Sequence, residues 1–579
     1  MNSLKYDLGI KPVGISLFLV SALGLLLRII NLSKFNIYPD SYVFLLMTKN
    51  IVELSPVGSL GPNGMFNELQ FGWITRLGYP LLIIPLNAIA HNLEFSARTV
   101  SIVLAVLSVP LIFLLVTKLF DSRRMGIVAS FLLAISFTHV AWSGFVMAET
   151  TAIFFILLSL VFTVYGIKRA SFDFGNFYDV LAGIFAALAI ITRPEYFFLV
   201  LPILFLLTVD SKHYWGRVLT FLSSLFSLLT IISVATYFMR EQLSALPKVI
   251  PSYSALIIAS TVLLLLITVL TRKKIGGRQK TLSVLKTIAA FFTLSLFVYV
   301  YLQLIFGEKI FPYWSKTLAA TRIFAQYDFL IVILGALGIV YLLFDKKYSH
   351  IGFFALLYIM PLAVLYNQVN PLSYRYSVHH LPVLIIAGSF LIINLADLIK
   401  RKLQNASPKI SSPIVSFVIL LVVFVSLFQI KISADSMTGW IPEISYEKKA
   451  AMKVAKIMED KNIPKDTVLI TFFVEPYYIY TNKSTGSVYL EYPYIPLKDF
   501  PLSKPILIVV DEALRDQRPA FAKFVENKLS SFEIDRFWVG TPYTLATQKK
   551  EENYDKIYCG EKVKSVNNRH FSYFQSIIL

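Results

Sequence analysis

Cysteine is almost absent from these 579 residues: Cys559 stands alone, which excludes an intramolecular disulfide framework and any cysteine-cluster metal site. Charge is scarce as well. Charged residues make up 15% of the chain against 56% hydrophobic ones. At a mean hydropathy of +0.66, a water-soluble fold would expose large apolar patches, so the apolar residues face lipid. The chain has no Gly-rich phosphate loop, tandem repeat or low-complexity tract, and no Asp-x-Asp pair between Ser33 and Arg98. No small-residue cleavage site follows Val13–Leu32, so this run reads as a retained first span and not as a signal peptide.

What is present is a series of apolar runs of about 15 to 22 residues, the length that crosses a hydrocarbon core as a helix. The net charge of +19 does not form one basic stripe, which argues against nucleic acid as a partner. Instead Lys and Arg gather in short loops, for example Lys118, Arg123 and Arg124, or Lys400, Arg401 and Lys402, as the positive-inside bias requires. With the amino terminus cytoplasmic, that bias places the loop 33–98 outside and makes the short run Tyr79–Asn92 a helix on the membrane surface. Met125–Ala141, Thr151–Ile167, Val180–Ile191 and the later runs through Ile414–Ile430 then alternate in direction. The sum is about 13 spans, an odd number.

The expected architecture is therefore an all-α polytopic membrane domain over 1–430 and a small extracytoplasmic α/β domain over 431–579. In the second part, Tyr446–Asp460 has helical apolar spacing, Val468–Val474 and Ile506–Val510 read as strands, and Pro519–Leu529 reads as a further helix. Asn482-Lys483-Ser484 matches a glycosylation acceptor.

Polar residues at span ends are the candidates for chemistry. Asp40, in Tyr38-Pro39-Asp40-Ser41-Tyr42, sits just past the first span. It suits a general base toward a hydroxyl, while the pattern alone favours an N-cap for a helix from Ser41 to Glu53; the two roles are compatible. Arg76, Glu149, Arg193 with Glu195, Arg375, His379 and His380 recur at other span ends. Singly each fits an interfacial anchor. Together they put cations on the outer face, where arginines hold phosphate oxygens bidentately and stabilise charge that grows as a phosphate leaves. His139, His379 and His380 invite a metal reading, but no carboxylate triad accompanies them, and no metal or other cofactor is expected.

The order of Asp40 and Tyr42, Arg76-Leu77-Gly78-Tyr79-Pro80, Glu149, Thr192-Arg193-Pro194-Glu195 and Arg375-Tyr376 before Pro382 resembles the lipid-dependent membrane glycosyltransferases of the GT-C superfamily. The branch it looks most like is that of the protein O-mannosyltransferases and aminoarabinose transferases. The resemblance spans about residues Gly14 to Asn394. It implies a hexosyl- or pentosyltransferase of the cell membrane that moves a sugar, with inversion, from a polyprenyl-phosphate carrier to a lipid, glycan or protein hydroxyl on the outer face. It also implies Asp40 as catalytic base, Glu149 as a second acidic site residue, and Arg375, Tyr376, Arg193 and Arg76 at the donor phosphate. Two departures matter. Asp40-Ser41 replaces the Asp-Glu doublet of protein O-mannosyltransferases, which puts a protein acceptor in question. The Trp-Trp-Asp-Tyr-Gly signature of oligosaccharyltransferases is absent. The rival function is a transporter or flippase of a lipid-linked saccharide, which would place ionisable groups near the midplane and show inverted repeats.

Overall fold

Apolar runs become helices here because lipid cannot satisfy a backbone amide, so each segment bonds its own. The computed structural model describes residues 10–32, 39–52, 76–168, 172–209, 214–238, 328–369, 378–405, 424–434 and 446–463, with short stretches between 468 and 548. The described residues fall into two compact units that meet in sequence at Ser445/Tyr446.

The first unit begins with α1 (Ile10–Leu32), α2 (Pro39–Val52), α3 (Gly78–Ala90) and α4 (Leu93–Phe120). Next come α5 (Arg123–Ile135), α6 (Phe137–Gly144), α7 (Glu149–Lys168) and α8 (Phe172–Thr192). A 3-10 turn (Pro194–Leu199) leads to α9 (Val200–Val209) and α10 (Tyr214–Phe238). The unit continues with α11 (Phe329–Phe344), α12 (Ser349–Val369) and α13 (Leu381–Asn405), and with α14 (Phe424–Ala434). Among the described residues, four helices are long and apolar enough to cross a membrane: Pro12–Asn31, Leu93–Phe120, Glu149–Lys168 and Val378–Ile399. The pair α5 and α6, bent by 53°, makes a fifth crossing if taken as one span. Shorter apolar helices fill out the unit. The expected spans Tyr253–Leu270 and Val284–Phe306 lie outside the described residues.

Helix ends follow the local chemistry. Asn92 caps α4 by accepting the Phe95 amide at 3.0 Å, and the helix stops where Asp121 turns left-handed at φ 53°. Ser122 caps α5 at once by accepting the Met125 amide, so α4 and α5 form a tight hairpin. Two readings shift. The run Met125–Ala141 is not one straight helix but breaks at Ser136, whose side chain caps α6. Asp40 does not precede its helix as a cap but lies inside the first turn of α2, which starts at Pro39; a proline suits the first helical position because its missing amide hydrogen has no helical partner there.

Helices approach closely where side chains are small. A Cβ on Gly338 of α11 would lie 2.1 Å from the Ala387 carbonyl oxygen of α13, so only glycine permits that contact. Ser159 of α7 donates to the Ala182 carbonyl of α8 at 2.8 Å, and Arg217 of α10 meets Asp179 of α8 at 3.6 Å.

The second unit holds α15 (Tyr446–Asp460), with β1 (Val468–Thr471), β2 (Val488–Leu490), β3 (Ile506–Val510), β4 (Phe532–Trp538) and β5 (Pro542–Gln548). Ala450, Ala451, Val454 and Met458 are buried along one helical face. The sheet order is β2-β1-β3-β5-β4. β1 is parallel to β2 and β3, while β5 is antiparallel to β3 and β4. Asn482–Ser484 and Pro519–Leu529 lie outside the described residues.

Candidate functional site

Proline at position 194 starts the site. A residue before proline is pushed out of the helical region, and Arg193 adopts extended angles (φ −146°, ψ 105°) between the end of α8 and the 3-10 turn. Its side chain is fully buried. The guanidinium Nη1 lies 3.1 Å from Oε1 of Glu149 and Nε lies 3.6 Å from Oε2 of Glu195. Glu195 in turn meets Arg76 Nη2 at 3.5 Å. The result is a row of alternating charge, Glu149–Arg193–Glu195–Arg76, with no net charge. Glu149 and Arg193 are both 0% exposed, and two charges removed from water hold only when each is closely paired and hydrogen-bonded. Glu149 is also the first residue of α7, where the exposed amides and the helix dipole favour an anion.

The two sequence motifs are brought together by one glycine. A Cβ at Gly78 would stand 2.1 Å from Thr192 Oγ1 and 3.1 Å from Thr192 Cα, so the start of α3 rests directly on the end of α8. That contact carries Arg76 to Glu195. The next residue, Tyr79, is buried; its hydroxyl donates to the Ala97 carbonyl at 2.8 Å and lies 2.9 Å from Ser101 Oγ. Ser101 donates to the Met147 carbonyl at 3.4 Å, and Arg98 donates to the Gly144 carbonyl at 3.0 Å. Both bonds reach the segment just before Glu149.

On the other side, Phe44 meets the Tyr79 ring edge-on at 5.4 Å. Phe44 sits one helical turn after Asp40 on α2, so the Asp40-bearing helix is tied to the same group of elements; the Asp40 side chain lies outside the described atoms. Arg375 and Tyr376 lie outside the described residues as well. Four residues after Arg375 stands His379, whose Nδ1 is 2.5 Å from the hydroxyl of Tyr196 in the 3-10 turn.

The structure thus joins Arg76, Glu149, Arg193 and Glu195, which the sequence had only in order. It separates the histidines: His379 bonds Tyr196, whereas His139 bonds Arg28 of α1 at 2.6 Å. Among the described residues, no three His, Cys, Asp or Glu side chains are grouped to hold a metal ion. Sequence reasoning missed Arg28 and Asp328, both fully buried. An arginine inside an apolar run was the available signal for the first; Asp328, standing just before a span, looks like an ordinary cap.

Residues 76–238 match the family of dolichyl-phosphate-mannose-protein mannosyltransferases. The fold is that of the Archaeoglobus fulgidus oligosaccharyltransferase, with a TM-score of 0.55 at 13% identity over 93% of this chain and 75% of that one. The structure of ArnT from Cupriavidus metallidurans bound to undecaprenyl phosphate aligns with a TM-score of 0.48 at 11% identity over 92% of this chain and 98% of that one. None of the curated proteins matches the chain significantly in sequence.

Proposed function

We infer, from a chain that has the GT-C glycosyltransferase fold and matches the mannosyltransferase family over residues 76–238, that it is an inverting glycosyltransferase with a polyprenyl-phosphate sugar as donor. The observation that carries this reading is the row Glu149–Arg193–Glu195–Arg76, with Glu149 and Arg193 fully buried, assembled from three separate stretches of an integral membrane protein beside the helix that bears Asp40. A cell spends buried charge in lipid surroundings where function needs it.

The acceptor hydroxyl gives its proton to Asp40, and the acceptor oxygen attacks the anomeric carbon from the face opposite the carrier. The bond from that carbon to the phosphate oxygen breaks, and the carrier phosphate leaves with the electron pair. Arg375 and Tyr376 meet that phosphate; Arg375 stands four residues before His379, which is bonded to the 3-10 turn of Glu195. Arg76 and Arg193, oriented by Glu149 and Glu195, offer guanidinium donors to the remaining phosphate oxygens. Guanidinium groups so placed stabilise the charge that grows on the leaving phosphate, and no metal is required in this scheme. The reaction takes place on the outer face, with the amino terminus inside and residues 431–579 outside.

Asparagine at position 40 tests the scheme. Inside the first turn of α2 it gives up only the attraction of a carboxylate to the helix dipole, about 0.3 to 1 kcal/mol, yet an amide cannot accept the proton. Asp40→Asn should keep the wild-type melting profile in detergent and lose turnover by about 100-fold to 10,000-fold. Wild-type turnover in that variant would remove Asp40 from the chemistry.

A further inference from the structure

Asp328 occupies the N-cap position of α11, but its carboxylate makes no bond to the amides of that helix. A local cap is worth about 1 kcal/mol, and α11 goes without it. The carboxylate is fully buried and turned toward the first turn of α6. Its Oδ1 accepts the Phe137 amide at 2.9 Å, and its Oδ2 accepts the Thr138 amide at 2.9 Å. The Thr138 hydroxyl also donates to Oδ2, as does the Ser136 hydroxyl at 3.3 Å. Gln429 of α14 donates to Oδ1 at 3.3 Å. Five donors from two segments, residues 136–138 and Gln429, meet one carboxylate, the arrangement an ionised acceptor satisfies best.

One residue further on, Arg28 of α1 donates to Nδ1 of His139 at 2.6 Å and to the Gly24 carbonyl at 2.6 Å. A guanidinium can only donate, so the ring is neutral with its proton on Nε2. The first turn of α6 is thereby held from two sides by distant spans.

All eight residues of α6 are buried, and Phe145, Val146, Met147 and Ala148 are each 0% exposed. Arg98 and Ser101 fix the Gly144 and Met147 carbonyls at 3.0 and 3.4 Å. The next residue is Glu149. A close-packed interior transmits displacement instead of absorbing it, so a shift at Phe137 reaches Glu149 through a helix about 12 Å long.

We propose that Asp328 is a positioning residue for Glu149: it fixes the first turn of α6, and the buried segment 137–148 carries that placement to the Glu149–Arg193 pair. This rests on the reading of Glu149 as a site residue, so the test has one arm that needs no catalysis. In full-length protein with Cys559→Ser, the buried Ser143 is replaced by cysteine, and its rate of maleimide labelling is measured in detergent with and without Asp328→Asn. The structure predicts labelling faster by about tenfold once the hold on α6 is loosened.

The second arm measures turnover. Asp328→Asn alone should lower it by about 100-fold, the scale of a misplaced reacting group. In a Glu149→Asp background the same substitution should add less than about threefold, because both changes act on one carboxylate, and donor KM should stay within about twofold. If Asp328→Asn does not accumulate as folded protein, Thr138→Val removes a single donor and should show the same pattern in smaller measure. Unchanged labelling overturns the positioning role whatever turnover does, and so does a full additive loss in the double variant. Absence of turnover in the wild type, with labelling raised as expected, sinks the glycosyltransferase reading and leaves the hold on α6 standing.

Discussion

Arg193 is placed by a neighbour that has no chemistry of its own. Pro194 ends α8, and the extended backbone at Arg193 turns a guanidinium into the interior, where it lies against two carboxylates. Removing it strands Glu149 without its close cation. Arg193→Met should therefore cost about 3 to 5 kcal/mol of stability, read as a lower melting temperature in detergent; Arg193→Lys should fall between the two, since an ammonium lacks the planar fork. An unchanged melting temperature in Arg193→Met would show that the pair is not structural. For Arg375, the same substitution by lysine should lower turnover by about tenfold or more, given about 1.5 to 3 kcal/mol for a charged phosphate contact. These residues were legible as span-end charges because Thr192-Arg193-Pro194-Glu195 and Arg76-Leu77-Gly78 stand out against apolar runs. The local pair Arg193–Glu195 was legible too, but the pairing between distant stretches was not. Glu149 and Arg193 are joined only by how α7 and α8 fold back on each other, and no local pattern encodes such a distance.

At the scale of elements, close approach decides. Gly338→Ala would set a methyl group 2.1 Å from a backbone carbonyl oxygen of α13, which cannot rotate away as a side chain can. We expect a loss of about 1 to 3 kcal/mol from such overpacking, visible as a lower melting temperature; an alanine variant as stable as the wild type would mean that α11 and α13 are held apart from this contact. Hydrophobic periodicity found most helices, and Ile506–Val510 is strand β3 with the bounds its β-branched run suggests. It failed at Ser136. Ser136, Thr138 and His139 interrupt the apolar run there, but with no glycine or proline among them periodicity reads through, and the break between α5 and α6 is held by Asp328, 190 residues further along the chain from Thr138. The start of α2 lies two residues before the expected Ser41 for a simpler reason, since both Pro39 and Asp40 are good first-turn residues.

For the whole molecule, the order of motifs in the sequence resembled that of the GT-C glycosyltransferases, and the fold matches that of a solved oligosaccharyltransferase with a TM-score of 0.55 at 13% identity. Topology rests on loop charge. A reporter active only in the cytoplasm, fused after Leu579, should be silent; activity there would reverse the placement of residues 431–579 and of the reacting face. The central claim is that this chain breaks the bond between a sugar and a polyprenyl phosphate. Purified full-length protein incubated with a panel of polyprenyl-phosphate sugars and candidate acceptors measures this directly. The account predicts release of free carrier phosphate from one donor in the wild type and its near loss in Asp40→Asn, whereas no release from any donor, or equal release by both proteins, would contradict it.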